Sequence, residues 1–191
     1  MKEIVKLGLI LFIISTIAAV ALAGTNSITA PIIELQREAK SELARKEVLP
    51  TADSFEQVNA NDYDSTVITE GDVDVPVIEV YRGVSAGQTV GYVVKTAPGG
   101  YGGAVEVVTG IAEGVVTGVR VGKHQETPGL GAKSTLPEFY SQYDGKMAAT
   151  VSVNKTQSSD SEVQAISGAT ITSKAVTAGV NASAGIAKSQ E

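Results

Sequence analysis

Leu7 to Ala23 carries no charged side chain and almost nothing polar, and the low-charge stretch runs on through Gly24 and Ser27 to Ile28. A hydrocarbon core of ~30 Å takes about 20 helical residues, so residues 7–28 are expected to form one transmembrane helix. Lys2 and Lys6 precede it and no Lys or Arg follows before Arg37. By the positive-inside rule residues 1–6 then lie in the cytoplasm and the bulk of the chain outside. The same stretch also satisfies a secretory signal, with Ala21-Leu22-Ala23 as a cleavage signature. Either way, the rest of the chain is exported.

Beyond the apolar segment the period changes. Asn26, Thr29 and Pro31 mark the exit, and Ile32, Leu35, Ala39, Leu43 and Val48 recur at helical spacing until Leu49-Pro50. Residues 31–48 therefore read as a separate stalk helix. Thr51 to Gly71 is polar and acidic and reads as a loop with local turns. From Val73 the pattern turns to β-formers: Val75 to Tyr81, Val90 to Thr96, Ala104 to Val108, Val115 to Val121 and Met147 to Val153. Arg82-Gly83, Ala86-Gly87, Gly110 and Gly114 supply turn chemistry between them. A short helix is expected over Leu136 to Tyr143, opened by Pro137, and a longer one over Lys174 to Lys188. The connections are too short for βαβ crossovers. The fold class expected is α+β, a mainly antiparallel sheet with flanking helices, preceded by one N-terminal transmembrane helix. The organisation is residues 1–6 cytoplasmic, 7–28 anchor, 29–72 helical stalk and linker, and 73–191 extracytoplasmic domain.

Composition removes several classes of function. The 191 residues carry a net charge of −6 with no Lys/Arg cluster, which argues against a nucleic-acid partner. There is no cysteine and a single histidine, His124, so thiolate and multi-histidine metal sites are excluded within the chain. A lone loop histidine is more often a hydrogen-bonding residue than a base. Ser167 lacks the flanking glycines of a nucleophile elbow. Asn154-Lys155-Thr156 and Asn181-Ala182-Ser183 match a glycosylation pattern that is common by chance.

Three segments concentrate candidate chemistry. Ala97-Pro98-Gly99-Gly100-Tyr101-Gly102-Gly103 lies between strand candidates: either a flexible hairpin loop, or backbone that must approach a flat ligand with Tyr101 free to stack. Glu126-Thr127-Pro128-Gly129-Leu130-Gly131 follows a strand and mixes one rigid with two permissive residues, enough to hold a sharply shaped loop. Ala165-Ile166-Ser167-Gly168-Ala169-Thr170-Ile171-Thr172-Ser173 packs four hydroxyls ahead of the last helix. Such hydroxyls cap a helix, or, with free N–H groups and the helix dipole, they build an anion site.

The string Ser167-Gly168-Ala169-Thr170 resembles the flavinylation motif of FMN-binding domains, with Gln164 standing where that motif has aspartate. Glu126 to Gly131 resembles the loop that lies against the flavin in the same family. With the N-terminal span, Thr25, Asn26, Thr29, Pro31 and Leu49-Pro50, the whole chain is similar to G subunits of Rnf ion-translocating ferredoxin:NAD⁺ oxidoreductase complexes. The related C subunit of the sodium-translocating NADH:quinone reductase has longer insertions. The resemblance implies one FMN held as a phosphoester on Thr170 and attached by a separate flavin transferase. It implies phosphate contacts from Ser167, Gly168, Ala169, Thr172 and Ser173. Glu126, Thr127, Gly129, Leu130 and Gly131, with Tyr101 and Gly102, are implied around the cofactor. It also implies a cell-membrane protein that relays electrons among other membrane subunits and is not a complete enzyme. Alternatives are a standalone extracytoplasmic flavin carrier, a subunit of the quinone reductase, and a non-redox module binding a phosphorylated or sugar ligand.

Overall fold

A computed structural model describes residues 2–59, 68–70, 73–156 and 159–190. Helix α1 (Lys2–Val48) is one element, where the sequence predicts an anchor, a break and a stalk helix. The hydroxyls around the expected break bond back within the helix, Thr25 to Ala21 O, Ser27 to Gly24 O and Thr29 to Thr25 O, a pattern helices accommodate, and the backbone is helical through Pro31. The chain divides into two compact units, Met1–Leu43 and Ala44–Glu191. Among the described residues of the first, the apolar stretch is long enough to cross a bilayer and none of it is buried within the protein.

The second unit begins with the last turn of α1 and continues through β1 (Ser54–Gln57), β2 (Ile68–Glu70), β3 (Val73–Val75), β4 (Val77–Ser85), β5 (Gln88–Thr96), β6 (Val107–Ala112) and β7 (Val115–Val121). Then come α2 (Pro137–Tyr140), β8 (Ser152–Asn154), β9 (Glu162–Gln164) and α3 (Thr170–Ser189). Five strands form one antiparallel sheet in the order β1-β4-β5-β6-β7. The architecture is the expected one: α+β with a mainly antiparallel sheet. Ala86-Gly87 and Glu113-Gly114 have positive φ at both positions, the two-residue turn whose twist matches the flanking strands.

The sheet separates two apolar layers. On one face α3 lays Val176 and Val180 against Val107, Ile111 and Val119, closed at the end by Phe139 and Tyr143. On the other face Val48, Leu49 and Ala52 pack on Val93 and Val108. The second contact depends on cross-strand glycine pairs, Gly83 with Gly91 and Gly110 with Gly118. A Cβ on Gly110 would stand 2.1 Å from the Val48 carbonyl oxygen, and one on Gly83 would stand 2.5 Å from Leu49 Cδ2. The sheet is bare there so that the end of α1 can sit on it.

Several expected boundaries move. The Thr51–Gly71 loop contains β1, edge-paired to β4 from Ser54 to Gln57, and β2, paired antiparallel to β3; residues 60–67 and 71 lie outside the described residues. Gly110 is inside β6 and does not form a turn. Ala104 makes only an isolated bridge to Gly99, because Gly100 N–H bonds Gly103 O and Val105 N–H bonds Pro98 O, closing the glycine loop on itself. Met147 to Val153 is not one strand: Met147 makes only an isolated bridge to Val115, Ala149 has φ of 74°, which breaks the extended backbone, and strand pairing resumes at Ser152 alongside β9 in parallel. Helix α3 begins at Thr170, ahead of Lys174, so three of the four hydroxyls, Thr170, Thr172 and Ser173, lie inside its first turn and Ser167 precedes it. Asn181 uses both ends of its amide on the Val151 backbone, a structural explanation for that residue.

Candidate functional site

The three glycine- and hydroxyl-rich segments meet at the start of α3. A cavity of about 510 Å³ is lined there by Tyr101 from the glycine loop, by Glu126, Thr127, Leu130 and Gly131, and by Gly168 through Thr172. Its size falls in the ordinary range for small-molecule sites, ~300–1,000 Å³. Segments distant in sequence thus contribute to one concave wall.

Backbone geometry shapes this wall. Gly168 (φ 76°) and Gly129 (φ 79°) hold left-handed conformations that strain other L-residues. The turn at Gly168 brings Ala169 to the N-cap position, where no side chain caps the helix. Among the described residues the N–H groups of Thr170, Ile171 and Thr172, which line the cavity, have no side-chain acceptor, the arrangement that suits a phosphate, while Ala169 N–H is taken by Ile166 O at 2.9 Å.

Glu126 ties the segments together. Its Oε2 accepts the Thr172 hydroxyl at 2.7 Å and its Oε1 accepts Gly102 N–H at 3.0 Å. The Glu126 N–H in turn donates to His124 Nδ1 at 3.2 Å, which gives the lone histidine a loop-shaping role. A Cβ on Gly131 would lie 2.2 Å from Glu126 Oε2 and 2.7 Å from Thr172 Oγ1, so the chain approaches the carboxylate closely at that point. Thr127 O receives both Leu130 N–H and Ala132 N–H, fixing the loop between them.

The four hydroxyls of the final motif have different environments. Thr172 is buried and donates to Glu126. Ser173 is buried, donates to Ala169 O and accepts Ile166 N–H, and does not line the cavity. Ser167 is exposed and lines a neighbouring groove with Gln164, Gln142 and Phe139. Thr170 lines the cavity, is half-buried, and makes no side-chain hydrogen bond among the described residues. Gly129 and Gly102 shape the loops without lining the cavity, Gly102 through its N–H. Tyr101 and Leu130 stand at the mouth, 73% and 43% exposed. Ile171, 54% exposed at the same mouth, is a cavity residue that sequence reasoning did not select. Its only signal was its place between two hydroxyl residues at a helix start. Gln164 sits on β9, where its N–H donates to Gln142 Oε1 at 2.7 Å.

Residues 100–184 match the FMN-binding domain family, and residues 1–48 match the RnfG N-terminal region. The chain is similar to the G subunit of the Na⁺-translocating ferredoxin:NAD⁺ oxidoreductase complex of Acetobacterium woodii, 49% identical over 95% of this chain and 90% of that protein. It belongs to the family of Rnf G subunits. A second relative, the G subunit of the ion-translocating oxidoreductase complex of Methanosarcina acetivorans, is 38% identical over 100% of this chain and 97% of its own length. Among solved structures, Shewanella oneidensis NqrC matches with a TM-score of 0.55 at 20% identity, over 78% of this chain and 94% of that one. The C subunit of the Na⁺-translocating NADH-quinone reductase from Parabacteroides distasonis gives 0.54 at 22%, over 81% and 94%. These two likenesses establish that this member of the Rnf family shares their fold.

Proposed function

We propose that this chain is the electron-transfer subunit of a membrane-bound, ion-translocating ferredoxin:NAD⁺ oxidoreductase (Rnf) complex, carrying FMN as a phosphoester on Thr170. The observation that carries the reading is the separation of the four motif hydroxyls. Two are buried in internal hydrogen bonds, one faces another groove, and Thr170 alone lines the cavity with its hydroxyl unengaged among the described residues. The names and coverage of the curated relatives support the complex, and the domain match supports the cofactor.

On this reading a separate flavin transferase acts on FAD. The Thr170 oxygen replaces AMP on the FMN phosphorus, the pyrophosphate bond breaks, and the hydroxyl proton is released. Gly168 N–H and the first-turn N–H groups of Thr170, Ile171 and Thr172 would receive the phosphate, whereas Ala169 N–H is already given to Ile166 O at 2.9 Å. Tyr101 and Leu130 cover the ring system at the mouth, Ile171 extends that rim, and Glu126 with Thr127 holds the loop. Bound FMN supplies the redox chemistry; the protein supplies position and electrostatics. The N-terminal half of α1 anchors the subunit in the cell membrane, with residues 1–6 cytoplasmic and the FMN domain outside.

The test is Thr170→Ala in the full chain, co-produced with its flavin transferase and isolated from membranes. The wild type is expected to fluoresce in a denaturing gel and to carry an added mass of about 440 Da, the mass of FMN less water. The variant is expected to lose both while staying folded. Flavin covalently retained by the variant, or absent from the wild type, overturns the assignment.

A further inference from the structure

Glu126 is 6% exposed and lines the cavity, yet no Lys, Arg or His forms an ion pair with it among the described residues. Its partners are neutral: the Gly102 N–H on one oxygen and the Thr172 hydroxyl on the other. The one histidine, His124, meets Glu126 through the backbone, its Nδ1 accepting the Glu126 N–H at 3.2 Å. Backbone closes over both oxygens. Added Cβ atoms at Gly100 and Gly131 would lie 2.4 Å from Oε1 and 2.2 Å from Oε2. Water is thus kept from the carboxylate on the sides where these glycines pack.

Two neutral donors and the positive end of α3 reduce the field of a carboxylate without cancelling it. In a wall of low dielectric what remains is felt across the cavity much more strongly than in water. Any ligand there that gains negative charge is opposed by it. Resting on the FMN reading above, we infer that Glu126 is a positioning residue with a second role: its buried negative charge lowers the reduction potential of the flavin held on Thr170. The clamp and the electrostatic role reside in the same two oxygens, and substitutions separate them. Glu126→Gln keeps the shape and an acceptor for Gly102 N–H but removes the charge. Glu126→Asp keeps the charge but shortens the reach to both donors.

The experiment uses the full chain, co-produced with flavin transferase and purified in detergent. Flavin content is read first by intact mass, and the bound flavin is then titrated spectroelectrochemically. Glu126→Gln is expected to favour the one-electron-reduced flavin by about tenfold, a positive shift of about 59 mV. Glu126→Asp is expected to stay within threefold of the wild type. A clamp that acts only through structure gives the reverse order, with Asp the more perturbed. A loaded Glu126→Gln protein that titrates within threefold of the wild type overturns this inference and leaves the FMN assignment intact. Wild-type protein without flavin removes the assignment and this inference with it. If Glu126→Gln does not load, Thr172→Val decides. With one donor fewer on the carboxylate, the equilibrium should move at least threefold toward oxidised flavin, and no movement or the opposite sign overturns the inference.

Discussion

At the scale of single residues, Gly131 shows how tightly the site is packed. Its Cα faces both members of the Glu126–Thr172 hydrogen bond, and an alanine methyl there would overlap the two oxygens. Gly131→Ala is expected to push the Glu126 loop off α3 at a cost of about 1–3 kcal/mol, the usual range for overpacking. Thermal unfolding followed by near-ultraviolet dichroism should show the lower transition, and intact mass should show reduced flavin loading. Tyr143 is a second such position. It is fully buried, its hydroxyl pairs with Thr177 Oγ1 at 2.8 Å, and burial pushes its phenol above the ordinary tyrosine value. The unfolded chain releases this proton at about pH 10 while the folded chain retains it. The stability contribution is therefore complete below that pH and declines above it. Tyr143→Phe should flatten the fall in stability above about pH 10, at a cost of about 1 kcal/mol at neutral pH from the lost hydrogen bond. The motif made Thr170 a candidate, but the fate of Thr172 was not legible in the sequence. Its partner Glu126 lies 46 residues away, and only folding puts them in contact.

Among the elements, the end of α1 is held by the sheet in a way the sequence only partly announces. Val48 is fully buried, and its carbonyl, one of the orphan acceptors at a helix C-terminus, receives the Thr117 hydroxyl across the sheet. Thr117→Val leaves that acceptor buried and unpaired, which should cost about 1–3 kcal/mol. Gly110→Ala should cost more, because its methyl would meet the same carbonyl at 2.1 Å and displace Val48 and Leu49 from the sheet. Comparing both variants with the wild type by denaturant unfolding of the detergent-solubilised chain checks the order. Equal stability of all three would show that the seating of Val48 contributes nothing. The long β-branched strands were readable because β5, β6 and β7 bury alternate or successive valines. By contrast, β1 has one apolar residue in Ser-Phe-Glu-Gln and is a strand only because β4 offers it an edge. The helical pattern placed the start of α3 four residues late, since hydroxyl residues usually precede helices, whereas here Ser173 bonds back to Ala169 O within the first turn and Thr172 bonds out to Glu126.

For the whole molecule, topology is what joins sequence and site, and the chain is well suited to testing it because it contains no cysteine. A single introduced thiol then reports its own compartment without background. Glu3→Cys lies beside the two lysines on which the proposed orientation rests and leaves both in place, and Lys155→Cys lies on an exposed stretch of the domain. In intact cells an impermeant maleimide is expected to label the thiol at position 155 and to reach position 3 only after the membrane is opened. Labelling of position 155 only after lysis would put the domain in the cytoplasm, where the orientation argument from Lys2 and Lys6 fails. Cleavage of the apolar segment gives a third, separate result. The mature protein would then carry no label at position 3 under any condition, and its mass would lack the first part of α1. Retention of that label on membrane-extracted, flavin-bearing protein would tie anchor and cofactor to one uncut chain. A protein passing electrons to fixed membrane neighbours requires that tether; a secreted flavin carrier does not.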